Sequence, residues 1–281
     1  MYKMKIDSHQ HYWHYNTADY GWMGEEMAAI RRDFMPADLL PELKSIGFDG
    51  SIAVQARQSA EETRWLLELA DAHPHILGVV GWIDLCAADV RQQLSDFAAH
   101  PRAVGVRHVI HDEPDVDFML QPEFVRGVRQ LEEFQLAYDL LLFPQHLPNA
   151  LKLVQSCSSQ QTFVLDHIGK PLIKDRVLSP WREDIRRLAR NQNVYCKLSG
   201  MVTEANWQQW APSDLQPYLE VVLDEFGPER IMIGSDWPVC LVAGSYQKVM
   251  QVVQDFIAQL SPDEQSAVLG GNAARAYGIL V

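Results

Sequence analysis

Lys5-Ile6-Asp7-Ser8-His9-Gln10-His11 is the stretch on which the fold turns. It opens on apolar Ile6 and closes on two histidines two positions apart. In an extended strand, residues two apart share a face. His9 and His11 therefore point together into whatever this strand builds, near its carboxyl end. Two imidazoles converging there can bind a metal or polarise a carbonyl. Alone, the pair fits equally well a couple of core histidines satisfied by their neighbours. It gains weight because later strands end in the same way.

Short runs rich in Val, Ile and Leu recur at 50–56, 76–84, 103–109, 135–143, 162–169, 193–199 and 230–236. With 5–11 they make eight strands, apolar enough to be buried on both faces. Amphipathic stretches fall between them at 37–46, 60–72, 121–134, 148–155, 180–191 and 217–225. The first puts Leu39, Leu40, Leu43 and Ile46 on one stripe, and the second leaves Glu61, Glu62 and Glu68 for the wet face. Two more come after the last strand, at 246–260 and 261–273, the second opening on the N-cap and Pro signal Ser261-Pro262-Asp263-Glu264. Alternating strands and helices imply a parallel sheet. Eight such units in 281 residues, with no linker and no internal repeat, favour one closed domain over residues 1–281. That fold is a (β/α)8 TIM-type barrel, which typically needs about 250 residues. No Gly-rich phosphate loop succeeds the first strand, which argues against an open nucleotide-binding sheet. The long aromatic stretch 12–36 is expected to cover the barrel mouth, where catalytic loops extend from strand ends.

Other strands also end on reactive side chains. The sixth reads Phe-Val-Leu-Asp166-His167 and the eighth Ile-Met-Ile-Gly234-Ser235-Asp236-Trp237-Pro238. Pro238 comes almost directly after Asp236, so Asp236 is not an obvious helix N-cap. The fourth strand carries Arg107 and the seventh Lys197, which on an apolar strand must reach a partner or water. Trp82 ends the third strand, and Trp13, Trp207 and Trp237 lie just beyond others. Their rings suit the apolar face of a sugar, and equally suit packing at the mouth. His146, beyond the fifth strand, reads either as a ligand or as a loop residue.

The formal net charge of −13 opposes non-specific contact with nucleic acid or anionic membrane. No apolar run has the length of a membrane helix or a signal peptide, so a cytoplasmic location is expected. The four cysteines stand far apart; Cys196 and Cys240 read as buried thiols.

Taken together, IDSHQHYW, VLDHIGKP, CKLSGMVTEANW and GSDWPVC resemble the amidohydrolase superfamily. More narrowly they resemble its lactonase branch, the L-fuconolactonase-like enzymes in particular. VVGWIDL, VGVRHVIHDEPD, PWREDIRRLA and GGNAARAYG extend the resemblance from about residue 5 to 277. It implies a distorted amidohydrolase-like barrel with His9, His11, His167 and Asp236 as the catalytic set. The family's strand-five histidine has no match in Ala137-Tyr138-Asp139-Leu140-Leu141, and no bridging lysine or glutamate stands on strand four. A two-metal centre is therefore not expected. One divalent ion, zinc for example, held by His9, His11 and Asp236 fits the resemblance. So does a metal-independent site, as in a similar 2-pyrone-4,6-dicarboxylate hydrolase.

The expected reaction is hydrolysis of a sugar lactone to its aldonic acid. Asp236 accepts a proton from the attacking water. A metal, or protonated His9 or His11 with Arg107, stabilises the oxyanion. His167 orients the water or protonates the ring oxygen. Arg107, Lys197, Trp82 and Trp13 are the expected substrate contacts. A dicarboxylate would call for several arginines at the mouth, and only Arg57 and Arg107 stand near strand ends, so a neutral polyhydroxylated lactone fits better. Three alternatives remain open at this point: a metal-dependent decarboxylase, a pyrone or muconolactone hydrolase, and a non-catalytic sugar-binding barrel.

Overall fold

The computed structural model describes residues 4–280. Eight strands lie side by side in chain order, every neighbouring pair parallel. They are β1 (Ile6–Gln10), β2 (Gly50–Val54), β3 (Ile76–Gly81), β4 (Ala103–Val109), β5 (Ala137–Leu141), β6 (Phe163–Leu165), β7 (Val194–Leu198) and β8 (Ile231–Ile233). Helices α1 (Pro36–Ser45), α2 (Ala60–Ala72), α3 (Val90–Ala98), α4 (Pro122–Gln130), α5 (Leu147–Ser156), α6 (Trp181–Ala189), α7 (Pro212–Phe226) and α8 (Tyr246–Ile257) succeed the strands one by one. This is the expected (β/α)8 barrel.

The sheet closes across β8 and β1, but not by a full ladder. Asp236 N–H donates to the His9 carbonyl at 2.9 Å and His11 N–H to the Trp237 carbonyl at 2.7 Å. Side chains complete the seam. Ser8 Oγ donates to the Ile233 carbonyl at 2.7 Å, and Asp7 accepts from Ser235 N–H, Ser235 Oγ and Tyr246 Oη. The serines and the aspartate of the first and last motifs thus tie the barrel shut, close to the reactive histidines in sequence.

Strand alternation also needs an adjustment. Ile6 packs inside the barrel with Ile52, Val54, Val80 and Met232. Strict alternation from Ile6 would turn His9 outward. Pairing with β2 slips by one residue between Asp7 and Gln10. Such a bulge inserts one residue and reverses the phase of those beyond it. Asp7 therefore reaches outward to Tyr246 on α8, while His9 and His11 face the interior.

The apolar core has two parts. The larger lies between the strands and their helices. The smaller fills the amino-terminal end of the barrel, where Ala273, Ala274, Ala276 and Tyr277 plug it from below. Those residues come from the final segment, which is broken into α9 (Pro262–Ser266), a π-turn (Ala267–Gly271) and α10 (Asn272–Ala276) rather than continuous over 261–273. The predicted cap holds: Ser261 Oγ accepts from Glu264 N–H.

Three sequence expectations need correction. No helical stretch was named between the third and fourth strands, yet α3 stands there on a stripe of only Val90, Leu94 and Phe97. Glu62 does not face water; it is buried and accepts from the backbone N–H groups of Ala56 and Arg57 at the end of β2. The sixth and eighth strands are far shorter than expected, because the backbone turns left-handed at His167, Ile168 and Asp236. Among the described residues, no helix is long and apolar enough to cross a membrane.

Candidate active site

Four reactive side chains meet at the carboxyl end of the barrel. Asp236 Oδ1 lies 3.4 Å from His11 Nε2, 3.8 Å from His9 Nε2 and 3.9 Å from His167 Nε2. His9 Nε2 and His11 Nε2 are 3.1 Å apart. His167 and Asp236 both sit at positive φ, +55° and +57°. Non-glycine residues there store of order 1–3 kcal/mol each and concentrate at functional sites. The left-handed turn aims each side chain back over the barrel axis.

Each imidazole is oriented from behind. His11 Nδ1 lies 2.7 Å from the Val54 carbonyl, which fixes the ring with Nε2 toward the site. His167 Nδ1 bonds Ser199 Oγ at 2.9 Å. His9 Nδ1 stands between Asp166 Oδ1 at 3.3 Å and Lys197 Nζ at 3.1 Å. Burial holds His9 and His167 well below the usual histidine range, so both are neutral near pH 7. Burial pushes Asp236 upward, but His167 and the hydrogen bond from His11 outweigh it and hold the carboxyl below its usual range. The group is an anion among imidazoles. A protonated His9, one of the two expected metal-free ways of polarising a carbonyl, is disfavoured by this burial.

Beneath the site lies a fully buried ion cluster. Lys197 Nζ is 2.6 Å from Asp139 Oδ2 and 2.9 Å from Asp166 Oδ1. Arg107 Nη1 donates to Asp166 Oδ2 at 3.0 Å and lies 3.3 Å from His9 Nε2. Tyr277 Oη, on the plug, donates to Asp139. Two cations and two carboxylates neutralise one another, which leaves Asp236 to the imidazoles around it. Asp139 and Asp166 carried no role in the sequence reading. Their signal was present: each stands on an otherwise apolar strand, as Lys197 does, and buried charges come in pairs.

The expected substrate contacts divide. Arg107 and Trp13 line a cleft of about 340 Å³ above the four reactive side chains, together with Trp22, Phe143 and Trp207. Lys197 is wholly buried in the ion cluster and does not reach this cleft. Trp82 lies outside the cleft lining; its backbone bonds Thr63 on α2. Trp237 is buried against Tyr12 and Phe34. His146 joins neither of the groups that could hold a metal and lies outside the cleft lining; its Nδ1 accepts from Phe143 N–H in a tight turn. Stretch 12–36 does cover the mouth, with Trp13 and Phe34 bridged as antiparallel backbone. A larger neighbouring cavity, about 490 Å³, is lined by Arg57, Glu62 and Trp65 and holds none of the four reactive residues.

Gly200 supports His167 by close approach. Its φ is +62°, and a Cβ there would lie 2.4 Å from His167 Nδ1. Gly200→Ala is expected to displace His167 and lower kcat/KM by about 10²-fold, with a stability loss of about 1 kcal/mol. Steady-state kinetics beside a denaturant titration checks this.

Two groups among the described residues could hold a metal: His9, His11 and Asp236, and His9, Asp166 and His167. The first fits an ion well. A tetrahedral zinc with bonds of 2.0–2.2 Å separates its ligands by roughly 3.3–3.6 Å. The observed spacings of 3.1, 3.4 and 3.8 Å bracket that range. The donor chemistry also fits, two imidazole nitrogens and one carboxylate, while Asp166 already engages the Arg107 and Lys197 cations.

A parallel barrel with this histidine–aspartate mouth defines an enzyme of the metal-competent class. The chain belongs to the amidohydrolase family, whose pattern, described as Amidohydrolase, matches residues 6–279. It is 42% identical to an L-fucono-1,5-lactonase of Burkholderia multivorans, over 98% of this chain and 96% of that protein. An L-fucono-1,5-lactonase of Burkholderia ambifaria is 35% identical, again over 98% and 96%. A crystal structure of an amidohydrolase from Burkholderia multivorans with bound zinc superposes with a TM-score of 0.95, at 41% identity, over 99% of this chain and all of that one.

Proposed function

We propose that the protein hydrolyses a sugar lactone to its aldonic acid, with L-fucono-1,5-lactone the leading substrate. The observation that carries this is an ionised Asp236 set among His9, His11 and His167 at the floor of an aromatic-lined cleft. The 42% and 35% identical lactonases support the substrate class.

Asp236 takes a proton from water as the water oxygen attacks the lactone carbonyl carbon. The ring C–O bond then breaks, and the ring oxygen takes up a proton. His167 Nε2, near Asp236 and held by Ser199, is placed to orient the water and pass that proton on. Arg107 supplies a donor beside His9 for the developing oxyanion, fixed in advance by Asp166. A divalent ion such as zinc, held by His9, His11 and Asp236, would add Lewis acidity and lower the pKa of water. Trp22 and Trp207 offer apolar ring surface to a sugar, with Trp13 buried against Trp22.

A pH-indicator screen of aldonolactones, with and without a chelator, tests the reading. Acid release is expected from neutral aldonolactones, with L-fucono-1,5-lactone among the fastest. The chelated enzyme should lose at least about tenfold in rate and regain it on adding zinc. Release confined to pyrone or muconolactone carboxylates would reverse the substrate assignment.

A further inference from the structure

Both cationic side chains that line the cleft, Arg107 and Lys170, are already matched by carboxylates. Arg107 is held by Asp166. Lys170 Nζ lies 2.7 Å from Glu204 Oε1, and both side chains are about four-fifths buried. The lining carboxylates Asp112, Glu204 and Asp236 outnumber these cations. The pair is also built on pinned backbone. Lys170 sits at φ +47° with its N–H on the His167 carbonyl at 2.9 Å, and the Glu204 carbonyl accepts from Lys174 N–H at 2.9 Å. Lys170 stands directly after the strained turn that presents His167, and Glu204 ends the turn after β7 (residues 201–204).

We infer that Lys170 and Glu204 are the specificity-determining pair that admits an uncharged polyhydroxylated lactone and withholds the Lys170 ammonium from the carboxylate of the aldonate formed from it. This rests on the reading that the site opens sugar lactones. An ammonium has three donors and Lys170 spends one on Glu204, so the pair can still donate to and accept from ring hydroxyls. A carboxylate ligand must displace Glu204 to pair with Lys170. Adding water to the lactone gives an aldonic acid, which ionises to an aldonate and a proton. The product thus gains a negative charge that neither Arg107 nor Lys170 is free to balance, because Asp166 and Glu204 already hold them.

The test is inhibition by aldonate, together with turnover of a lactone bearing an extra carboxylate. Glu204→Gln leaves Lys170 unmatched. It should bind aldonate about tenfold more tightly and begin to accept the carboxylated lactone. The double variant K170M/E204Q removes both charges and should return aldonate inhibition to within about threefold of the unsubstituted enzyme. Lys170→Met alone should raise KM about tenfold for the polyhydroxylated lactone but not for an unsubstituted δ-lactone. Unchanged aldonate inhibition in Glu204→Gln, tight inhibition retained in the double variant, or an unchanged KM in Lys170→Met would overturn the inference. If the unsubstituted enzyme opens no neutral aldonolactone, the underlying reading fails first, before any variant is compared.

Discussion

Asp236→Asn is expected to lower kcat by about 10²–10⁴-fold on every lactone the enzyme opens, with little change in KM. The carboxylate is held ionised among the imidazoles, and its carboxamide isostere cannot take a proton from water. The substitution isolates chemistry from folding. Asparagine is among the residues that best tolerate left-handed backbone, so the +57° φ adds no new strain. Its size matches aspartate, and it removes a buried charge rather than stranding one. The folded site holds this carboxyl below its usual range, so losing the charge should lower the thermal midpoint slightly while turnover collapses. Parallel kinetics and melting measure both. Near-normal kcat in a folded Asp236→Asn enzyme would remove Asp236 from the mechanism.

Lys197→Met should have the largest effect on stability, a loss of about 3–5 kcal/mol, because it leaves Asp139 and Asp166 buried with one cation fewer. The loss should depend on pH. Burial, opposed by Lys197 and by hydrogen bonds, pushes the Asp139 carboxyl up to about 6 from 3.8. The folded protein holds this proton more tightly than the unfolded chain does. The group's contribution to stability is therefore complete below about 3.8 and is lost as pH rises through about 6. Removing Lys197 widens the shift, so the variant's deficit should be greater at pH 8 than at pH 5. Urea titrations at the two values check the sign. Equal deficits would mean that Asp139 does not titrate in this window.

The barrel was legible because its strands are apolar runs at regular intervals and its helices carry periodic stripes. α3 was not, since three apolar residues make a faint stripe. The lengths of β6 and β8 were not legible either. Left-handed backbone at His167 and Asp236 is imposed by the assembled mouth, and neither residue type announces it as a glycine would. His9, His11, His167 and Asp236 could be named from sequence, and the structure brings those four together. The bulge that turns His9 inward could not, because it exists only in the pairing of β1 with β2. Lys197 was noticed for the right reason, a charge on an apolar strand. Its role changed once the partners Asp139 and Asp166, distant in sequence, were seen around it. Trp82 was misassigned because nearness to a strand end says nothing about which side of the mouth a ring will occupy. Trp22 and the Lys170–Glu204 pair reach the cleft from loops, where periodicity carries no information.

The central claim is that Asp236 and its three histidines open a neutral sugar lactone. Carbon-13 NMR of L-fucono-1,5-lactone, mixed with the enzyme at a pH where spontaneous opening is slow, tests it most directly. The expected result is conversion to the aldonate far faster than in buffer, with every carbon retained and one acid equivalent released per lactone. Opening no faster than in buffer, or the appearance of carbon dioxide, would contradict it.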